Sequence, residues 1–187
     1  MGITMKPVVV FMINSLAGGG AERVITQLLA HSDERSAHYD IHLVLLDTVP
    51  DVYPLPQWVH VHRLDTGGGL GTSILRAVNL FRTLRPALCL SFLTRANIVN
   101  VAAARICGHR ALISERVSPS SHHPQNLPGR ASRLATRLVY PYAAGVICPS
   151  QGVATDLVAN FALNPSRIHV IHNPLDVDAI LQAAGEP

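Results

Sequence analysis

The feature that most constrains the fold is a short apolar run near the start of the chain, followed by glycines and an amphipathic pattern. The run Val8–Ile13 is typical of a strand buried on both faces of a parallel sheet. After Gly18, Gly19 and Gly20, apolar residues recur on one helical face: Ala21, Val24, Ile25, Leu28 and Leu29. We therefore expect a strand, a glycine turn and a helix. The free N–H groups and positive dipole end of that helix suit a phosphate or carboxylate, and glycine allows close approach.

The glycine spacing does not match two familiar nucleotide-binding motifs. A dinucleotide fingerprint has the pattern G-x-G-x-x-G; Gly18 and Gly20 fit it, but Arg23 stands where the third glycine belongs. A P-loop has a lysine directly after its last glycine, and Lys6 is the only lysine in the chain. The turn is therefore either an anion site of another kind or a requirement of packing alone.

Six more short apolar runs alternate with helix patterns along the rest of the chain. They cover residues 41–46, 59–64, 88–92, 111–114, 145–148 and 168–171. Strands that alternate with helices form an open parallel sheet with helices on both faces. The sequence therefore predicts an α/β, Rossmann-like domain over residues 1–175, with a mostly parallel sheet of about seven strands.

Ligands of open α/β sheets bind beyond the carboxyl ends of the strands, so residues that follow predicted strands are candidates for a site. Those candidates are Gly18, Gly19, Gly20, Glu22, Arg95, Asn97, Glu115, Arg116 and Ser150. The glycine N–H groups and the two arginines can bind a diphosphate. Glu115 is the catalytic candidate, and a lone acid in basic surroundings is expected to stay ionised. The alternative for Glu115 is a structural ion pair with a neighbouring arginine.

The net charge of +3 conceals a strongly basic middle segment. Residues 66–155 contain ten arginines and one acid, which leaves nine positive charges (ten minus one) and indicates an anionic partner. Arg130, Arg133 and Arg137 fall on one edge of a helix predicted over residues 130–142, beside an apolar face. Such a helix is consistent with contact with an anionic membrane; the alternative is an ordinary helix with a solvated arginine edge.

Neither a metal site nor a membrane span is indicated. His60 and His62 share a face of one predicted strand, but no third ligand stands at a recognisable spacing, so exposed strand histidines are expected. The three cysteines have no C-x-x-C spacing and are expected to be reduced thiols in a cytosolic protein. The uncharged stretch 138–155 contains proline and glycine, which argues against a transmembrane helix, and no secretory signal is recognisable.

Four segments, in this order, resemble the N-terminal domain of family-4 retaining glycosyltransferases of the GT-B fold. They are residues 19–24 (GGAERV), 113–116 (ISER), 148–153 (CPSQGV) and 170–176 (VIHNPLD). The first resembles the family's glycine loop and the second its Ser-Glu-Arg segment. The third resembles the strand-to-helix step near the end of its first domain, and the last resembles the crossing into its second domain.

The resemblance implies that residues 1–175 form the acceptor-binding domain. Residues 176–187 would begin the crossover to a nucleotide-sugar domain that this chain lacks. In the family, both domains close over a cleft and transfer a sugar from a nucleotide sugar, without a cofactor or a required metal. Some relatives place a catalytic histidine where this chain has Glu115; the nearest histidines here are His122 and His123. We expect the chain alone to bind rather than turn over, since half a cleft can neither exclude water nor hold both substrates.

The expected partners and location follow from the resemblance together with the basic helix and the cysteine pattern. The expected partners are a nucleotide-sugar donor, a glycan or lipid-linked acceptor and an anionic membrane surface, with no nucleic acid. The expected location is cytoplasmic, or peripheral on the inner face of the cell membrane. Two other classes stay open: an oxidoreductase domain that binds a nucleotide or dinucleotide, against which the missing third glycine speaks, and a non-catalytic anion-binding adaptor. A nucleic-acid module would bind with steep salt dependence, but no motif or set of stacking aromatics for it is present.

Overall fold

The computed structural model describes residues 6–116 and 127–175, together with residues 177, 181, 184 and 185. The strands of this part of the chain are β1 (Val8–Ile13), β2 (Asp40–Leu45), β3 (His60–Arg63), β4 (Leu88–Phe92), β5 (Arg110–Ser114), β6 (Gly145–Cys148) and β7 (Ile168–Val170). They form one sheet in the order β3-β2-β1-β4-β5-β6-β7, and every neighbouring pair is parallel. The predicted seven-stranded Rossmann-like sheet is therefore confirmed.

Helices connect the strands and cover the two faces of the sheet. They are α1 (Gly20–Ala30), α2 (Asp33–Ser36), α3 (Leu70–Leu84), α4 (Thr94–Cys107), α5 (Leu127–Val139) and α6 (Gln151–Phe161), with short 3-10 turns at Tyr140–Tyr142 and Pro165–Arg167. After β3 the chain returns to the centre of the sheet, where β4 pairs with β1. In open α/β sheets, such a reversal of strand order opens a crevice at the carboxyl ends of the two central strands.

The core lies on both faces of the sheet because successive side chains of a strand point to opposite sides. Val10 and Met12 of β1 pack with Phe81 of α3 on one face, whereas Phe11 and Ile13 pack with the apolar stripe of α1 on the other. A third cluster, around Tyr140, Val146, Leu157 and Phe161, joins β5 and β6 to α5 and α6. The apolar run that predicted β1 is thus covered on both faces.

Strand bounds agree with the sequence prediction to within one residue, but the predicted bounds of the arginine helix were wrong. α3 begins after Gly69, whose backbone is extended, and the Ser73 hydroxyl donates to the Gly69 carbonyl at 2.6 Å. The arginine helix covers Leu127–Val139 rather than residues 130–142, because the chain tightens into a 3-10 turn that contains Pro141, which cannot donate a backbone hydrogen bond. Residues 117–126, which include His122 and His123, lie outside the described residues.

Gly108 ends α4 in the left-handed conformation, with φ of +81°. We expect Gly108→Ala to lower the free energy of unfolding by about 1 kcal/mol, because a β-carbon is strained in this conformation. Gly71 lies in the first turn of α3 with open space around it, so Gly71→Ala should raise the free energy of unfolding by about 0.5 kcal/mol. Urea unfolding of both variants checks the opposite signs; equal effects would contradict the assignment.

Candidate functional site

The carboxyl ends of the strands bring polar side chains from distant parts of the chain together. Arg95 follows β4, and its guanidinium forms an ion pair with Asp47, which follows β2. The Arg95 Nε–H also donates to Oδ1 of Asn14, directly after β1, at 3.4 Å. Three strands are therefore joined at the crevice by one arginine. The predicted role of Arg95 in phosphate binding stays a prediction, but its charge is already balanced by a carboxylate.

Asp47 is a site residue that the sequence analysis did not single out, although it directly follows a buried strand. Its Oδ1 accepts the Thr66 hydroxyl at 3.0 Å and the Gly68 backbone N–H at 3.1 Å. Burial raises the pKa of this carboxyl, but the bonds from Arg95, Gly68 and Thr66 outweigh burial and hold the pKa below its usual value. The glycine-rich segment 66–69 is therefore fastened to the crevice by an ionised aspartate.

The glycine turn before α1 is exposed and contains its own carboxylate. Gly18 has φ of +108°, a conformation that favours glycine, and packs near Val52. A β-carbon at Gly19 would collide with Oε2 of Glu22, so the Glu22 carboxylate lies directly against the start of the helix. This is the place where the backbone N–H groups would receive an anionic ligand. An anion bound at this turn would therefore lie close to the Glu22 carboxylate.

Arg116 lies directly after β5 and contacts residues 170–175, which we call the crossing segment. Its Nη1 donates to the Ser114 hydroxyl at 3.2 Å, and its Nη2 donates to Oδ1 of Asn173 at 2.6 Å. The guanidinium also lies over the Phe92 ring, 5.7 Å from its centroid. Two of its five N–H donors are thus used, which leaves three for a phosphate or carboxylate. Asn173, which the sequence analysis placed only in the crossing segment, belongs to the site.

Glu115 is fully buried beneath this surface. Its Oε2 accepts the Tyr140 hydroxyl and, at 3.5 Å, the Thr94 hydroxyl, while Oε1 accepts the Arg116 backbone N–H at 3.3 Å. Burial raises its pKa to about 7, so the expectation of a fully ionised carboxylate was wrong. The alternative, an ion pair with an arginine, does not occur among the described residues. A catalytic contact with substrate stays a prediction, and it would require this carboxyl to become exposed.

Two further predicted site residues, Asn97 and Ser150, form side-chain hydrogen bonds with other parts of the fold. Asn97 is fully buried: its amide donates to the Ser114 carbonyl and to the Tyr140 hydroxyl, both at 3.1 Å, and it accepts from Ser91 at 2.8 Å. Ser150 caps α6, since its hydroxyl accepts the Val153 N–H at 3.4 Å. Substrate contacts of both residues stay predictions.

A cavity of about 190 Å³ lies between the start of α1 and the crossing segment. It is lined by Gly20, Arg23, Val24, Gln27, Asn173, Pro174 and Leu175. Arg23 is exposed at this cavity and was not among the predicted site residues, although it belongs to the GGAERV segment. Arg23 is thus a second guanidinium near the glycine turn, in addition to that of Arg116, which binds Asn173.

Helix α5 presents an exposed surface that is both basic and apolar. Arg130, Arg133 and Arg137 are all exposed, as are Leu134 (58%) and Leu138 (61%). Exposed Tyr142 continues this surface in the following 3-10 turn, under the guanidinium of Arg105 at 5.1 Å. We call this set of residues the α5 surface. No described helix is long and apolar enough to cross a membrane.

The strand histidines cluster with each other. His60 is exposed as predicted, but His62 is half-buried and its Nε2 lies 2.8 Å from Nδ1 of buried His42. Burial and the neighbouring histidines lower the pKa of His62. Within residues 6–116 and 127–175, no three His, Cys, Asp or Glu side chains are grouped to hold a metal ion.

Comparison with known proteins agrees with this architecture. The sequence model of Glycosyltransferase Family 4 matches residues 18–179. The chain is 30% identical over 187 residues to an N-acetylgalactosamine-N,N'-diacetylbacillosaminyl-diphospho-undecaprenol 4-alpha-N-acetylgalactosaminyltransferase of Campylobacter jejuni, an alignment that covers 93% of this chain and 50% of that enzyme.

Two solved structures show the same fold. Anabaena HepE, crystallised with UDP and glucose, aligns with a TM-score of 0.66 at 19% identity and covers 95% of this chain and 50% of its own. Sucrose-phosphate synthase from Thermosynechococcus elongatus aligns with a TM-score of 0.71 at 13% identity, over 97% of this chain and 53% of its own. The chain thus spans about half the length of the relatives it matches. It belongs to Glycosyltransferase Family 4.

Proposed function

We propose that this chain is the acceptor-side domain of a retaining glycosyltransferase that transfers a sugar from a nucleotide sugar to a lipid-linked acceptor. One observation carries the proposal: Arg116 and the crossing segment lie at the carboxyl edge of the sheet, next to the glycine turn, with three guanidinium N–H donors left for an anion. A planar guanidinium binds phosphate oxygens in a two-pronged manner. A diphosphate that joins a lipid to a sugar is such an anion.

The chemistry of the related enzyme supports this choice of acceptor. The Campylobacter jejuni relative acts, by its name, on a sugar joined to undecaprenol through a diphosphate. An acceptor of this class has a long apolar chain, a dianionic linker and a sugar. The α5 surface offers apolar side chains for the chain, Arg116 offers a guanidinium for the linker, and the crevice at the carboxyl edge offers room for the sugar.

In the proposed reaction, the described residues bind and orient the acceptor. Arg116 receives the diphosphate, and the cavity beside Arg23 extends the anion site toward the glycine turn. The ion pair of Arg95 with Asp47 holds segment 66–69 against the crevice. Transfer requires a second domain that holds the nucleotide sugar and closes over the crevice to exclude water. We propose no cofactor and no required metal.

We further propose that the α5 surface rests on the inner face of the cell membrane. Arg130→Ala combined with Arg137→Ala should weaken binding to vesicles of phosphatidylglycerol and phosphatidylcholine about 30-fold, because each basic residue near an anionic surface contributes about 1 kcal/mol. Arg133 is left unchanged because it also lies over the Phe161 ring. Sedimentation of the protein with vesicles measures this effect.

The matched control is Arg35→Ala combined with Arg82→Ala, which removes the same charge from exposed positions on α2 and α3. This double variant should retain nearly all of its vesicle binding. If both double variants lose binding equally, net charge rather than the α5 surface drives the association, and the proposed membrane contact is wrong.

The experiment that tests the function is glycosyl transfer by the natural full-length protein. Donors are a panel of UDP-linked and GDP-linked sugars, and the acceptor is a polyprenyl diphosphate-linked N-acetylhexosamine. Transfer from one donor, with retention of the anomeric configuration in the product, is the expected result. Absence of transfer from every donor, combined with binding of unrelated polyanions by the α5 surface, would favour the anion-binding adaptor instead.

A further inference from the structure

A buried hydrogen-bonded pair connects helix α5 to the site arginine. Tyr140 directly follows α5, is fully buried, and donates its hydroxyl to Oε2 of Glu115. The other carboxylate oxygen accepts the Arg116 backbone N–H at 3.3 Å. The end of the arginine helix, the end of β5 and the guanidinium that binds Asn173 thus form one continuous chain of contacts.

We infer that Tyr140 and Glu115 are positioning residues for Arg116. The Tyr140 hydroxyl orients the Glu115 carboxylate, and the carboxylate holds the Arg116 backbone and attracts its guanidinium. This arrangement presents the remaining N–H donors to the acceptor's diphosphate. The inference rests on the proposed function, since it assigns Arg116 to that diphosphate, and it goes further by naming the residues that act through Arg116.

A role in packing alone does not explain a carboxyl at this place. Burial of an ionisable side chain costs free energy, and an apolar side chain of similar volume would fill the site without that cost. The oxygen of the Tyr140 hydroxyl accepts the amide of Asn97 at 3.1 Å, so its O–H proton needs an acceptor, and the neutral carbonyl of a glutamine could fill that role without an ionisable group. Glu115 is therefore the member of the pair whose presence requires a functional explanation.

The surroundings of Glu115 leave it as the group that changes charge near neutral pH. Burial raises its pKa to about 7, raises the pKa of the Cys148 thiol to about 11, and raises the pKa of the Tyr140 hydroxyl well above its usual value. Arg116 stays charged, while Thr94 and Asn97 do not titrate. Among these described neighbours of Arg116, Glu115 is therefore the group whose charge changes between pH 5 and pH 9.

The test is Tyr140→Phe, which keeps the buried ring and removes the hydroxyl. In the wild-type protein, the KM for the polyprenyl diphosphate-linked acceptor should fall as pH rises through about 7, because Glu115 becomes the carboxylate that holds Arg116. Loss of the Tyr140 hydrogen bond raises the pKa of Glu115, so the same fall should occur about one pH unit higher in the variant. Tyr39→Phe, which removes the hydroxyl of an exposed tyrosine just before β2, is the control and should keep the wild-type profile.

A purely structural role of Tyr140 would lower the amount of folded protein without moving the pH midpoint. An unchanged midpoint in Tyr140→Phe, or a midpoint shifted to lower pH, would therefore overturn the inference. The NMR signal of the Arg116 Nε–H provides a readout without substrate: it should titrate with Glu115 in wild type, and the midpoint should move upward in the variant. If the proposed function is wrong, the Arg116 Nε–H signal should still titrate with Glu115. If instead the inference is wrong, the protein should still transfer the sugar, but the pH midpoint of Tyr140→Phe should equal that of the wild-type protein.

Discussion

Replacement of Arg116 by alanine is expected to lower kcat/KM for the lipid-linked acceptor by about 100-fold, mainly through KM. Hydrogen bonds to charged groups contribute about 1.5–3 kcal/mol each, and the guanidinium can form two of them to one phosphate, which at the lower end amounts to about 3 kcal/mol, or roughly 100-fold. Arg116→Lys keeps the charge but loses the planar fork, so it should recover only part of the loss, to about 10-fold below wild type. Steady-state transfer at varied acceptor concentration measures both variants.

The matched control for this prediction lies on the same strand. Arg110 is exposed at the amino end of β5, the opposite edge of the sheet from Arg116. Arg110→Ala removes the same charge and should leave kcat/KM within a factor of two or so of wild type. Equal losses in Arg110→Ala and Arg116→Ala would indicate that the basic middle segment acts through its overall charge and not through a site at the carboxyl edge.

The second large effect concerns stability, and it follows from the burial of Glu115. The pKa of its carboxyl is raised from 4.5 to about 7, so the folded state binds the proton more tightly than the unfolded chain. The resulting stabilisation is complete below the unfolded pKa and disappears as pH rises through the folded pKa. Between pH 5 and pH 8, the wild-type chain should lose about 2 to 3 kcal/mol of unfolding free energy from this group.

Glu115→Gln removes the ionisation while it keeps a polar side chain of the same size. The difference in unfolding free energy between this variant and wild type should therefore change by about 2 to 3 kcal/mol between pH 5 and pH 8, in favour of the variant at pH 8. Urea unfolding at both pH values gives the difference directly. Glu34→Gln, at an exposed position on α2, should show no such change. A difference for Glu115→Gln that is constant with pH would contradict the buried, neutral carboxyl.

The fold could be predicted from sequence because its signals are local. The apolar run that became β1 and the left-handed Gly108 at the end of α4 act within a few residues. Helix starts were less certain: Gly69 begins α3 through an extended backbone, which leaves no side-chain signal, whereas the Ser150 cap was readable. The rule that ligands bind beyond the strand ends then selected the edge of the sheet where these polar side chains lie, although it did not give the contacts there.

The contacts of the candidate site could not be predicted, because each joins residues far apart in the chain. Arg95 and its partner Asp47 are 48 residues apart, and Arg116 is 57 residues from Asn173. Tyr140 is 25 residues from Glu115, in what the sequence shows only as the apolar end of an arginine-rich helix. The sequence does not show that Tyr140 packs against Glu115 and buries it, so from sequence alone Glu115 is expected to be an ionised acid among arginines. Periodicity does not encode such pairs.

The central claim is that this domain binds the acceptor rather than the donor. Amide hydrogen exchange of the chain, measured with a polyprenyl diphosphate-linked N-acetylhexosamine and separately with UDP, tests it most directly. The acceptor should slow exchange at the carboxyl edge, in residues 14–20, 93–97, 114–116 and 171–174, while UDP alone should change these segments little. Protection of the same segments by UDP, with no effect of the acceptor, would contradict the account.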